Sequence, residues 1–494
     1  MRVFSVPVSA PFLRTVISAL VDGRLVDGFE ARAQPERLAS ATLYLPTLRA
    51  GRMAREIFLD ELNTDAVVLP RIVALGDIDE DELAFAQATS PGSAALEIPP
   101  AMEGLQRRLL LAQLIALWAE KIRPDDAAQA PLVTGGPAST LALADDLARL
   151  MDDMVTRKVE WSALDRLVPD ALDRYWQLTL QFLGIARNTW PGILNAHGRI
   201  EPAARRDLLI EAETGRLIAH RDGPVIAAGS TGSMPSTARL LQVVANLPQG
   251  AVVLPGLDTD LDDDAWQLIG GIRNAEGKFT AAPASNHPQF AMHALLDRFG
   301  IRRGDVDILG QPAPHGRDVL VSEAMRPSNA SARWHRRLAE PEVVGKISRG
   351  MTNLAVIAAA NPEMEALAIA VAMCEARHLN KSAALVTPDR ALARRVIAAL
   401  GRWNLDFDDS GGDALTDTAA GIFASLTAEA VANGLEPPTL LALIKHPLCR
   451  LGGAKGAFKG AVETLELALL RGTRPQAGSA GRTAMVKQRS SRRS

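Results

Sequence analysis

The feature that most constrains this chain is a junction that occurs twice. Residues 43–56 read LYLPTLRAGRMARE, and residues 384–397 read ALVTPDRALARRVI. In each, a short apolar run of buried-strand character meets a Pro-Thr or Thr-Pro turn and passes into an Arg-rich helix. Apolar strands alternating with helices imply a parallel sheet covered on both faces. The same pattern predicts further strands at 3–8, 67–72, 225–228, 251–254, 354–358 and 383–386. The expected fold class is therefore α/β, with doubly wound parallel sheets.

At 494 residues the chain exceeds one ordinary domain. From about 103 to 210 the period changes. Leu110, Leu114, Leu117 and Trp118 recur at helical spacing, as do Leu143, Leu147, Leu150, Met151 and Met154, and then Trp176, Leu180 and Leu183. This predicts an all-helical insertion. The expected organisation is a first α/β lobe at 1–90 plus 208–310, with a helical subdomain at 91–207. A linker or surface lobe at 311–347 leads to a second α/β lobe at 348–417. A further helical stretch is expected at 418–472, then a basic tail at 473–494 with too few apolar residues to order itself.

Hydrophobic content of 47% and charged content of 22% describe a globular protein, and the net charge of −3 carries no global basic signature. Nucleic-acid contact must then come from local patches. The two cysteines, Cys374 and Cys449, match no metal-ligand spacing and suit a reducing compartment, so a cytoplasmic location is expected. No signal peptide or membrane span is read, and no membrane partner is expected.

Several stretches bear on chemistry. After the first strand, Pro7-Val8-Ser9-Ala10-Pro11 lacks the glycines and lysine of a phosphate loop, and its prolines remove two amide donors. The strand at 225–228 ends in Ala228-Gly229-Ser230, with no carboxylate to hold magnesium. Gly229, Ser230, Thr231, Gly232 and Ser233 form either an anion-binding nest or a plain strand-to-helix crossover, the crossover being favoured. Asp258, Asp260, Asp262, Asp263 and Asp264 are read as a solvated turn capping the helix at Trp266, rather than as a metal cluster. His287 and His293 are read as packing residues. Thr47 with Arg49, Arg52 and Arg55 suits a nucleic-acid phosphate at a helix N-terminus. Thr387 with Arg390 and Arg394 makes the same case, and for both the plainer reading is a solvated helix face. Catalytic and metal-binding residues are expected to be absent.

Taken together, LPTLRAGRMAREIFL, LPRIVALGDIDEDEL, AAGSTGSMPSTARLL, AVVLPGLDTDLDDDAW, HPQFAMHALLDRFGI, LVTPDRALARRVIAAL and LIKHPLCRLG resemble the AddB family in its alphaproteobacterial form. The similarity spans roughly residues 3 to 470. AddB is the partner subunit of the AddAB helicase–nuclease, which processes DNA double-strand breaks for homologous recombination. The resemblance implies two RecA-like lobes of superfamily-1 helicase type with helical insertions and a degenerate phosphate loop. Such helicases hold single-stranded DNA on loops like 46–49 and 387–390. It also implies an AddA-like motor and nuclease subunit as heterodimer partner, and single- and double-stranded DNA ends as ligands.

Family members continue into a nuclease domain, often with an iron–sulfur cluster and magnesium. Here no Asp…Glu-x-Lys constellation and no cysteine set follow residue 471, so the chain is read as a truncated or frameshifted member, or a fragment. No cofactor and no activity are expected of it alone. The competing reading is an α/β transferase that uses a nucleotide or sugar phosphate bound at Gly229–Ser233.

Overall fold

The computed structural model describes residues 1–75, 98–121, 136–166, 174–219, 223–412, 414–433, 435–450, 452–454 and 458–470. The expected basic tail at 473–494 lies outside these. The chain divides into two compact units, Met1–Leu354 and Ala355–Ser494.

In the first unit the strands are β1 (Val3–Val6), β2 (Thr42–Leu45), β3 (Arg71–Ala74), β4 (Val225–Ala228), β5 (Gly250–Pro255), a two-stranded antiparallel ribbon β6 (Ile272–Arg273) and β7 (Phe279–Ala281), and β8 (Asp307–Ile308). Six of them form one wholly parallel sheet in the order β3-β2-β4-β5-β1-β8. The third strand begins later than the apolar run at 67–72 predicts. Pro70 cannot donate to a ladder, and pairing starts where the Arg71 amide meets the Ala41 carbonyl at 2.9 Å.

Strand side chains alternate between two cores, as the pleat requires. Phe4, Val6, Leu43, Leu45, Ile226, Ala228, Ala251 and Val253 face helices α1 (Phe12–Val21) and α2 (Leu48–Leu62) through Ile17, Leu20, Ala54 and Phe58. Tyr44, Val225, Ala227, Val252 and Leu254 face the other way.

Residues 104–219 follow, with α3 (Gly104–Lys121), α4 (Pro137–Arg157), α5 (Arg174–Gly184), α6 (Trp190–Ala196) and α7 (Pro202–Ala219). Leu111 and Ile115 of α3 pack on Leu147 and Met151 of α4 and on Trp190. The seam lies one residue beyond the expected Leu110–Leu114 stripe, and Leu117 is exposed. Arg107 joins Asp152 at 2.9 Å and Glu201 at 2.6 Å, and Glu201 also accepts from the Trp190 indole.

Beyond β4 come α8 (Pro235–Asn246), α9 (Asp263–Gly270) and α10 (Phe290–Phe299), which fill the second core with Leu241, Val244, Trp266, Leu295 and Phe299. Residues 311–350 carry α11 (Arg317–Ala324), α12 (Trp334–Arg337) and α13 (Pro341–Gly350).

In the second unit α14 (Pro362–His378) packs on α15 (Arg390–Leu400) through Ala366, Ala370, Val396 and Leu400. Helices α16 (Ala419–Ala432), α17 (Pro437–Lys445) and α18 (Lys459–Leu465) follow. The strands expected at 354–358 and 383–386 do not form. Both segments lie outside any strand, with Val356 91% and Val386 93% exposed. Apolar β-branched residues make a strand only where a neighbour offers a ladder, and none does among the described residues.

Candidate functional site

Neighbouring strands β5 and β1 send their chains to opposite faces of the sheet: β1 leads to α1 in one core, β5 to α9 and α10 in the other. A crevice opens between such strands at their carboxyl ends, and open α/β sheets place their ligands there. A cavity of about 590 Å³ occupies this position, walled by Val8 and Ser9 after β1 and by Leu257 and Asp258 after β5.

The chemistry of the cavity is unsuited to a triphosphate. Ser9 lies in the loop between β1 and α1, and its hydroxyl donates to Asp318 at 2.5 Å and accepts from the Ala313 amide at 2.9 Å. Asp258, Asp260 and Asp318 all line the crevice. Burial pushes the Asp260 carboxyl up, and the charges of Asp258 and Asp318 push it further. Phosphate oxygens brought here would meet these carboxylates, and the lining arginine, Arg317, is turned to the Gly350 and Thr352 carbonyls. Gln289 braces the rim, donating to the Gly256 carbonyl at 2.9 Å and accepting from the Asp258 amide at 3.1 Å.

Two strands along, the loop Gly229–Ser233 starts α8. Its Gly229 amide is bonded to the Val253 carbonyl at 2.9 Å, and its Gly232 amide to the Ser230 hydroxyl at 3.3 Å. A nest needs consecutive amides free to converge on an anion. Two of these are engaged, which favours the crossover reading. Gly229 has φ +84° and passes so close to the preceding turn that a Cβ would stand 3.1 Å from the Pro46 ring and 3.2 Å from Phe12. Glycine here lets the Gly229 loop and the Pro46-Thr47 turn meet.

Thr47 caps α2, its hydroxyl accepting from the Ala50 amide at 3.1 Å. Arg49, Arg52 and Arg55 project from the exposed face of that helix, and none meets a carboxylate among the described residues. They recur every three residues and so form one row. The matching stretch in the second unit differs. Arg390 is clamped to Asp409 at 3.0 and 2.6 Å, and to the Gly412 carbonyl at 3.0 Å. Arg394 lies 3.6 Å from Asp417, and Arg395 3.2 Å from Glu363. The Thr387 hydroxyl accepts from the Asp389 amide, and Asp389 caps α15. Arg390 is therefore engaged in a clamp within its own unit. Its partner, 19 residues further along the chain, gives no local sequence signal.

No protein-family model matches this chain, and no curated protein does.

The acidic turn is capped as expected, with Asp262 accepting from the Ala265 amide at 3.0 Å. Asp263 and Asp264 stay exposed, and the turn is also tied by ion pairs, Asp262 to the buried Arg326 at 2.5 Å, Asp263 to Arg303 at 2.7 Å, and Asp264 to Arg333. His287 joins the Met325 carbonyl at 2.7 Å, and His293 stacks on Trp266 with centroids 5.1 Å apart. Both histidines pack, and burial holds both below their ordinary pKa. Among the described residues no helix is long and apolar enough to cross a membrane.

Proposed function

We propose that this chain is a nucleic-acid-holding scaffold of the AddB kind. On this reading its parallel sheet is a RecA-like lobe, and the chain serves beside an AddA-like motor in processing double-strand ends for recombination and turns over no ATP itself. The observation that carries the reading is the pairing of two features on one sheet edge. The row Arg49, Arg52 and Arg55 stands exposed with no carboxylate neighbours among the described residues, while the crevice after β1 presents carboxylates where a motor would hold its nucleotide. The sheet order supports it. Strand β5 lies between β1 and β4, so the degenerate loop after β1 adjoins the end of β5, and β4, whose end lacks a carboxylate for magnesium, stands one strand further along.

The test is a titration of the full chain with a fluorescent oligothymidylate at several salt concentrations, with phosphate release from Mg-ATP measured in parallel. Binding is expected to weaken with salt with a log–log slope of about −2, the value for three neutralised phosphates on a single strand, and no ATP is hydrolysed. Salt-insensitive binding, no binding, or ATP turnover by the chain alone would each contradict the reading.

A further inference from the structure

The crevice after β1 gathers three carboxylates, but it is not closed. Four large apolar side chains that water reaches, Val8, Ile308, Val321 and Met325, converge on this one cavity, with Val8 74% and Val321 53% exposed. Single exposed apolar residues are ordinary, whereas several around one concave opening mark a surface that is covered when occupied. A volume of about 590 Å³ falls within the range of small-molecule sites.

The charged lining is mainly acidic, with Asp258, Asp260 and Asp318 against Arg317. Asp258 spends one oxygen on the amides of Asp260 and Leu261 and on the Ser322 hydroxyl, and Asp318 holds Ser9. The nearby cations are taken. Arg317 donates to the carbonyls of Gly350 and Thr352 at 3.3 and 3.2 Å, Lys346 pairs with Glu342 at 2.8 Å, and Arg337 pairs with Glu323 and Glu340. Asp260 is half-buried between these groups, its carboxyl pushed up by burial and by its acidic neighbours. A partly desolvated carboxylate among like charges gains most from an incoming cation.

We infer that this cavity, on the degenerate side of the sheet, is a binding site for a small organic cation: a protonated amine on an apolar skeleton, the ammonium set against Asp260 and Asp318 and the skeleton against Val8, Ile308, Val321 and Met325. The site does not depend on the DNA reading, since α2 and its arginines contribute nothing to it.

Three probes of one shape test it by calorimetry on the full chain: tryptamine, the neutral tryptophol and the anionic indole-3-propionate. Tryptamine is expected to bind at least about tenfold more tightly than tryptophol, the ratio that one carboxylate–ammonium contact of modest strength supplies, and the anion not at all. Asp260→Asn should abolish the preference for the cation. Val321→Arg, at an exposed position, should block tryptamine while leaving the melting temperature unchanged. Equal binding of all three probes, binding of none, or a cation preference that survives both substitutions would overturn the assignment. Oligothymidylate binding measured on the same samples reports separately on the DNA reading, and saturating tryptamine should leave it unchanged.

Discussion

Replacing Arg49, Arg52 and Arg55 together by alanine is expected to remove most of the single-strand affinity. At 50 mM salt the loss should be about two and a half orders of magnitude, because three phosphate contacts give a slope near −2 and their contribution vanishes toward 1 M salt. Fluorescence anisotropy at 50, 100 and 200 mM salt checks it, and the slope for the variant should approach zero. The fold should survive, since all three side chains are exposed and meet no carboxylate among the described residues. The loss should be similar for oligonucleotides of any sequence, as phosphate contacts carry no base information. Arg390→Ala makes the contrast. It breaks a clamp on Asp409, so it should loosen the second unit more than it weakens DNA binding. An unchanged slope in the triple variant would remove α2 from the DNA surface.

The second large effect concerns the buried group that locks β2, β3 and α7 together. Glu213, 1% exposed, accepts from Arg216 at 2.8 and 2.9 Å, from Arg71 at 3.0 Å and from the Tyr44 hydroxyl. Burial alone would raise this carboxyl. The hydrogen bonds from Arg216 and the charges of Arg71 and Arg216 outweigh it and hold the pKa at about 2. Tyr44 is driven the other way, upward, first by burial and then by the Glu213 charge.

Glu213→Gln leaves two arginines facing a neutral partner in a dry site and should cost about 3–5 kcal/mol, read as a lower urea midpoint for the first unit. The pH dependence has a definite sign. A carboxylate held at about 2 against an ordinary 4.5 contributes roughly 3 kcal/mol near neutrality. That contribution is complete above about pH 4.5 and is lost as pH falls toward 2. The stability gap between wild type and Glu213→Gln should therefore stay constant from pH 7 to 5 and close below pH 4. A gap that persists at pH 2.5 would show that Glu213 acts through packing rather than charge.

Local pattern carries much of this fold. The apolar runs before α1, α2 and α8 are strands because each is flanked by others whose ladders they complete, and alternation on those strands separates the two cores. What local pattern misses depends on distant partners. Strand β8 is two exposed residues, Asp307 and Ile308, and exists only because β1 offers it an edge. Residues 354–358 and 383–386 have the same apolar content as true strands and find no such edge. At the candidate site, the missing phosphate-loop lysine and the arginine row are read directly. The ties are not: Asp262 meets Arg326 from 64 residues away, and Tyr44 meets Glu213 from 169 away. The convergence of Val8, Ile308, Val321 and Met325 on one cavity is likewise a product of topology, because these residues come from three separate stretches of chain.

The most direct test of the central claim is to map where a single strand touches the full chain. An oligothymidylate carrying 4-thiothymidine, photo-crosslinked to the chain and read out by peptide mass spectrometry, should mark the segment from Pro46 through Arg55, with crosslinking lost as salt rises. Crosslinks confined to other segments, or unaffected by salt, would contradict the account.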